Sequence, residues 1–133
     1  METYEVTIMN LKTKEEKILL IEADEAESSD DIVLKTVILE REFCSSNYND
    51  LSAYQELRDK ILELGYGIKC NGSRINVVQS GMMGASDKIY LVEFGRQALM
   101  KDVVGIFDYA EINEFPNSLQ QNEYSMKWFD SLN

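Results

Sequence analysis

The chain has no histidine among its 133 residues. That absence removes Ser-His-Asp and Cys-His catalysis, imidazole-ligated zinc and the usual general base near neutral pH. Cysteine is scarce too: Cys44 and Cys70 are the only two. They cannot make a disulfide framework or complete a structural zinc site, and both are expected to be reduced thiols in a cytoplasm. Neither a Walker loop nor a GxGxxG occurs. No apolar run approaches the ~18 residues of a membrane span. The start, METYEVTIMN, is acidic and alternating, without the basic-then-apolar order of a secretory signal. No cofactor and no metal is expected.

What is plentiful is negative charge. The net charge is −11, and the first fifty residues carry thirteen acids against five bases. Such a surface repels nucleic-acid phosphates and anionic lipid, so neither is an expected partner, and it attracts a basic protein. Solubility alone is the plainer reading of the same charge. The 44% hydrophobic content suits one folded domain over residues 1–133 with a core of its own.

Hydrophobic periodicity predicts an α+β fold, mainly antiparallel meanders with about three helices packed on them. TYEVTIMN alternates and can pair with EKILLIEA across the polar LKTKEE. The β-branched run at 32–38 favours a third strand, although a helix over 31–42 stays open. In NDLSAYQELRDKILELG, Leu51, Tyr54, Leu57, Ile61 and Leu64 form one stripe, with Asn49, Asp50 or Ser52 as cap and Gly65 as stop. Asn71-Gly72 between YGIKC and SRINVVQ predicts a type I′ hairpin. SGMMGASD then leads to the strand KIYLVEFG. RQALMKDVVGIFDYA reads as a second helix, weakened by Gly105. SLQQNEYSMKWFDSL reads as a third, with a Ser118/Gln121 capping box and a stripe of Leu119, Met126, Phe129 and Leu132. Trp128 and Phe129 are adjacent, so one should face the core and the other solvent.

Three places carry candidate chemistry. In CNGSR, Asn71 and Gly72 are accounted for by turn geometry. Cys70, on the strand face of Tyr66 and Ile68, reads as a buried core thiol. Ser73 and Arg74 are left over: Arg74 and Asn76 should share a strand face opposite Ile75 and Val77, either solvated or forming a polar pocket with the guanidinium as an anion clamp. The loop from Ser80 to Ser86, with Ser80, Gly81 and Met82, should lie at one end of that sheet and converge with Ser73 and Arg74. Its small residues can form an anion nest, and a methionine there an adaptable contact. Third, residues 22–31 hold six carboxylates, Glu22, Asp24, Glu25, Glu27, Asp30 and Asp31. They lack the glycine and closing glutamate of an EF-hand, which leaves a solvated loop or a docking face for a basic protein.

From YQELRDKILELGYGIKCNGSRINVVQSGMM through KIYLVEFGRQALMKDVVGIFDY, residues 54–109, the chain resembles a group of small uncharacterised bacterial proteins with a CNGSR-like hairpin, an SGM loop and an IFD helix. That resemblance implies no activity. In size and acidity the chain is also similar to immunity proteins, which neutralise a toxin by binding it. The leading expectation is therefore a non-enzymatic cytoplasmic binding protein that docks a basic, toxin-like partner through the acidic N-terminal region and the exposed end of the sheet. The alternative is a small-molecule or anion-binding protein, or an enzyme, using Ser73, Arg74 and residues 80–86. An accessory subunit or homodimer without a ligand is the third reading.

Overall fold

Alternation of apolar and polar residues sets the first layer. Its strands are Glu2–Asn10 (β1), Glu16–Glu25 (β2), Ile32–Ile38 (β3), Arg41–Asn47 (β4) and Tyr66–Ile68 (β5). The computed structural model describes residues 1–83 and 86–133, and it orders these strands β4-β3-β2-β1-β5 in one antiparallel sheet. Every second residue, among them Val6, Ile8, Leu19, Ile21, Leu34 and Ile38, is buried on the inner face. Helix α1 (Asp50–Glu63) lays the expected stripe of Leu51, Tyr54, Leu57 and Ile61 onto that face. Each such side chain contributes about 1.5–3 kcal/mol by leaving water. Asn49 caps the helix, its Oδ1 accepting from the Ser52 N–H at 2.7 Å, and Gly65 closes it at φ 102°. The segment 32–38 is a strand, and β1 and β2 pair across 11–15 as the sequence indicates.

The positive-φ hairpin turn lies elsewhere than expected. Asn71-Gly72 does not form a type I′ hairpin: Asn71–Ser73 is a single 3-10 turn, and Gly72 lies outside the left-handed region. The chain here does not fold back on itself. Instead the Asn71 N–H donates to Asp108 O at 3.0 Å, the Gly72 N–H to Ile106 O at 2.9 Å, and Asn71 Nδ2 to Gly105 O at 3.1 Å. Glycine is required at 72 by space, because a Cβ there would sit 2.8 Å from both Ile106 Cγ2 and Tyr54 Cε2. A two-residue turn with both φ positive does exist, at Leu39 (52°) and Glu40 (66°) between β3 and β4. Neither residue type favours that conformation, so the composition of the turn hides it.

The second layer is a small sheet of Val77–Val78 (β6), Lys88–Leu91 (β7) and Val103–Gly105 (β8), in the order β6-β7-β8. It replaces the helix expected over 96–110. Met100–Asp102 makes one 3-10 turn, and β-branched Val103 and Val104 then pair with Tyr90 and Ile89. The fold is α+β as expected, but with two α-helices rather than about three.

The second helix, α2 (Ser118–Asp130), starts one residue earlier than predicted: Asn117 caps it, in a box with Gln120 rather than Ser118 with Gln121. Its orientation reverses the sequence reading. Leu119, Met126 and Phe129 are each about two-thirds exposed, whereas Gln121 and Trp128 point inward. Trp128 Nε1 donates to Arg96 O at 2.9 Å, so of the adjacent aromatics it is Trp128 that faces the core. No helix among the described residues is long and apolar enough to cross a membrane.

Candidate functional site

The CNGSR stretch divides into a sealed part and an open part. Ser73 is fully buried, and its Oγ shares a 2.5 Å hydrogen bond with the Tyr54 hydroxyl. The Cys70 thiol donates to the same hydroxyl at 3.2 Å. Burial pushes the Cys70 thiol above its usual value, and burial does the same to Tyr54. These three groups form an inaccessible core cluster, and Ser73 is not presented to a ligand. Cys44, by contrast, is exposed.

Arg74 and Asn71 belong to the open part. Asn71 Oδ1 accepts from Arg74 Nε at 3.0 Å, and Asn71 is itself tied to Gly105, so the guanidinium stem is held from below. Gln121 Nε2 donates to the carbonyls of Gly72 (2.8 Å) and Arg74 (2.7 Å), which fixes the main chain of the turn. Among the described residues Arg74 makes no ion pair. It lines a cleft of about 570 Å³ together with Ile75, Asn76, Glu111, Phe115 and Gln120. The expected opposition of Arg74 and Asn76 to Ile75 does not hold. Ile75 is exposed while Val77 is buried, so those two do not share a face; regular strand begins only at Val77, and Arg74, Ile75 and Asn76 all line the cleft. Glu111 on its far wall is bonded to Lys69 at 2.9 Å and accepts from the Tyr109 hydroxyl; the Tyr109 bond, then Lys69, hold its carboxyl below the usual range.

The loop after β6 goes elsewhere. Ser80 is half-buried and accepts from the Met83 N–H, and Gly81 is exposed in the turn Gly81–Met83. Gln79, just before it, accepts from the Leu51 N–H at 3.0 Å and donates to the carbonyls of Ser86 and Lys88. This anchors the loop at the start of α1. None of its described residues lines the Arg74 cleft, so the expected convergence of the two is not seen. Gly84, Ala85 and the side chain of Met82 lie outside the described residues.

The acidic stretch straddles the end of β2 and the following loop. Asp24, Glu25, Glu27 and Asp30 are exposed and Asp31 is half-buried. The loop is closed by the Ala26 N–H on Asp31 O at 2.9 Å. None of these carboxylates is in an ion pair among the described residues. Asp24 and Glu25 line a shallow recess of about 280 Å³ with Glu2, Tyr4 and Asp50. Burial first, and then Asp87 nearby, push the Asp50 carboxyl up to about 6. The Tyr4 hydroxyl donates towards Glu2 (2.5 Å) and Asp87 (2.9 Å), and burial followed by these carboxylates raises its pKa. Among the described residues no group of three or more Cys, Asp or Glu side chains could hold a metal ion.

A further feature escaped the sequence reading. The outer face of the five-stranded sheet carries Ile18, Leu20 and Val37, with Leu39 at the hairpin tip, each more than half exposed. Around them stand Glu5, which faces Leu20 across the strands, Glu16, Glu22 and Glu42, with Lys35 among them and Lys69 paired to Glu16 at 3.1 Å. The signal was present: ILLI at 18–21 is apolar at four successive positions, so it supplies both faces of a strand and not one. No family model matches the chain, and no curated protein matches it.

Proposed function

We propose that the protein is a non-enzymatic cytoplasmic binding protein that docks a basic protein partner, in the manner of an immunity protein neutralising a toxin. The observation that carries this reading is the outer face of the N-terminal sheet, where exposed Ile18, Leu20, Val37 and Leu39 are ringed by carboxylates, of which Glu5, Glu22 and Glu42 make no ion pair among the described residues. An apolar centre inside a charged rim is how protein interfaces are built, and monomers seldom leave such a patch open. The acidic end of β2 with Glu27, Asp30 and Asp31 continues the rim and adds to the field that steers a basic partner. Cys70 is sealed in the core and the chain has no histidine to activate a thiol or hydroxyl, which favours docking over covalent catalysis.

The test is capture from the source cell on the immobilised chain at low salt, followed by purification of the captured protein and direct binding. A basic protein that binds the parent and loses affinity for a Leu20→Ser, Val37→Ser variant supports the reading. Direct binding indifferent to that variant refutes it.

Arg74 supports a second reading, a carboxylate or phosphate ligand in the 570 Å³ cleft, because its stem is pre-positioned by Asn71. A ligand whose stabilising effect on melting is lost in Arg74→Ala, with the fold intact, would favour it.

A further inference from the structure

Strands β2 and β3 are paired over only part of their length. Their register runs from Glu25↔Ile32 to Glu22↔Lys35, although β2 extends back to Glu16 and β3 onward to Ile38. The next pair to exchange main-chain bonds would be Leu20↔Val37, and it does not form. The Thr36 hydroxyl donates to Leu20 O at 2.7 Å instead. A side-chain hydroxyl thus stands where a main-chain donor would continue the ladder, and the strands part beyond it. Leu20 O faces β3, so the Leu20 N–H, on the same edge, does too; Val37, two residues beyond Lys35, faces back. The resulting cleft, about 470 Å³, is walled by Ile18, Leu20 and Val37, with Glu22 and Glu42 at its margin beside Lys35. Neither glutamate is in an ion pair among the described residues.

We infer that this cleft is the anchor point of the docking face and takes an arginine side chain of the basic partner. The inference rests on the reading of the protein as a binder of a basic protein. The methylene stem lies against Ile18, Leu20 and Val37. The guanidinium meets the Glu22 and Glu42 carboxylates and has donors left for the Val37 carbonyl, whose ladder partner is missing where the strands part. An apolar occupant would take water from two carboxylates and the unpaired main chain and return no hydrogen bond. A lysine would supply the charge, but not the planar fork that serves a carboxylate and a carbonyl together.

The experiment is an amide NMR titration of the full chain with hexa-arginine and hexalysine peptides at low salt. Saturable shifts at Ile18, Leu20 and Val37 are expected with hexa-arginine. At least a tenfold loss of affinity is expected in the E22Q, E42Q double variant, and hexalysine should bind more weakly. Both substitutions fall on exposed side chains, and the dispersion of the amide spectrum reports the fold directly. Shifts confined to residues 24–31, with no effect of E22Q and E42Q, would overturn the cleft while leaving a basic partner in place. Equal binding of hexalysine at the same residues would overturn the assignment to arginine. Failure of both peptides to bind would overturn the cleft and the basic-partner reading together.

Discussion

Gln121 and Arg58 meet in the interior: the guanidinium donates to Gln121 Oε1 at 2.6 Å, with Arg58 only 1% exposed. The same oxygen accepts from Gln55 Nε2 at 3.0 Å, and Gln121 Nε2 serves the two carbonyls of the Gly72–Arg74 turn. One amide therefore ties α2 to α1 and to the CNGSR stretch, which is why the Gln121 side of α2 faces inward.

Replacing Gln121 with alanine strands several buried groups at once. Arg58 NH1 already lacks a partner, so little in the interior can compensate. A loss of about 2–4 kcal/mol is expected in urea unfolding, several times the loss for Glu123→Ala on the exposed side of the same helix. Equal losses at the two positions would remove the network from the account.

At Gly72 the structure and the turn chemistry make opposite predictions. If glycine were needed for a left-handed conformation, asparagine would be the best tolerated replacement. Because it is needed for space against Ile106 and Tyr54, asparagine should cost more than alanine, and alanine itself roughly 1–3 kcal/mol. Denaturant midpoints of G72A and G72N decide between the two.

Asp50 gives stability a definite pH dependence. Its carboxyl titrates near 6 in the folded chain against a usual 3.8. Between those values the native state holds the extra proton, so this group's contribution makes stability fall as pH rises from about 4 to 6, and the loss persists above. Asp50→Asn should therefore gain on the parent by on the order of 1 kcal/mol over that range, the partial exposure of the carboxyl limiting the effect. Paired unfolding curves at pH 4 and pH 7 measure it. A difference that does not grow with pH contradicts the assignment.

Thiol reagents should count one cysteine quickly and one hardly at all. Cys44 is exposed, whereas Cys70 is enclosed and its pKa is raised by burial. Cys70→Ala should lower stability by about 1–2 kcal/mol without touching the outer sheet face. Two thiols reacting at comparable rates in the native protein would contradict this.

The parts legible in the sequence are those governed by local periodicity. α1 was readable because stripe, cap and terminal glycine agree, β1 because it alternates, β2 as its partner across a polar turn, and β3 because its β-branched residues favour strand, although its short apolar run left a helix open. What failed was set by distant partners. Asn-Gly is a hairpin signal only when its flanks pair with each other, and here they pair with β1, β7 and the 105–109 segment. RQALMKDVVGIFDYA carries a helical stripe that strand β7 overrides through Val103 and Val104. The apolar stripe of α2 faces outward because the buried donors of Arg58 and Gln55 claim Gln121 on the opposite side. Of the candidate site residues, Asn71 and Arg74 do come together, through a side-chain bond that no spacing rule supplies. Ser73 is withdrawn into the core by Tyr54, nineteen positions away.

The central claim is docking of a basic partner by charge and an apolar centre on one face. Its most direct measurement is the association rate of the purified partner, followed by stopped flow from about 50 to 500 mM salt, with the parent and with Asp24, Glu25, Asp30 and Asp31 neutralised together. Long-range attraction is screened over ~10 Å at 0.1 M salt. The association rate of the parent should therefore fall by roughly tenfold or more while dissociation changes little, and the neutralised variant should start low and respond weakly. An association rate that is the same at both salt extremes and in both proteins would contradict the account.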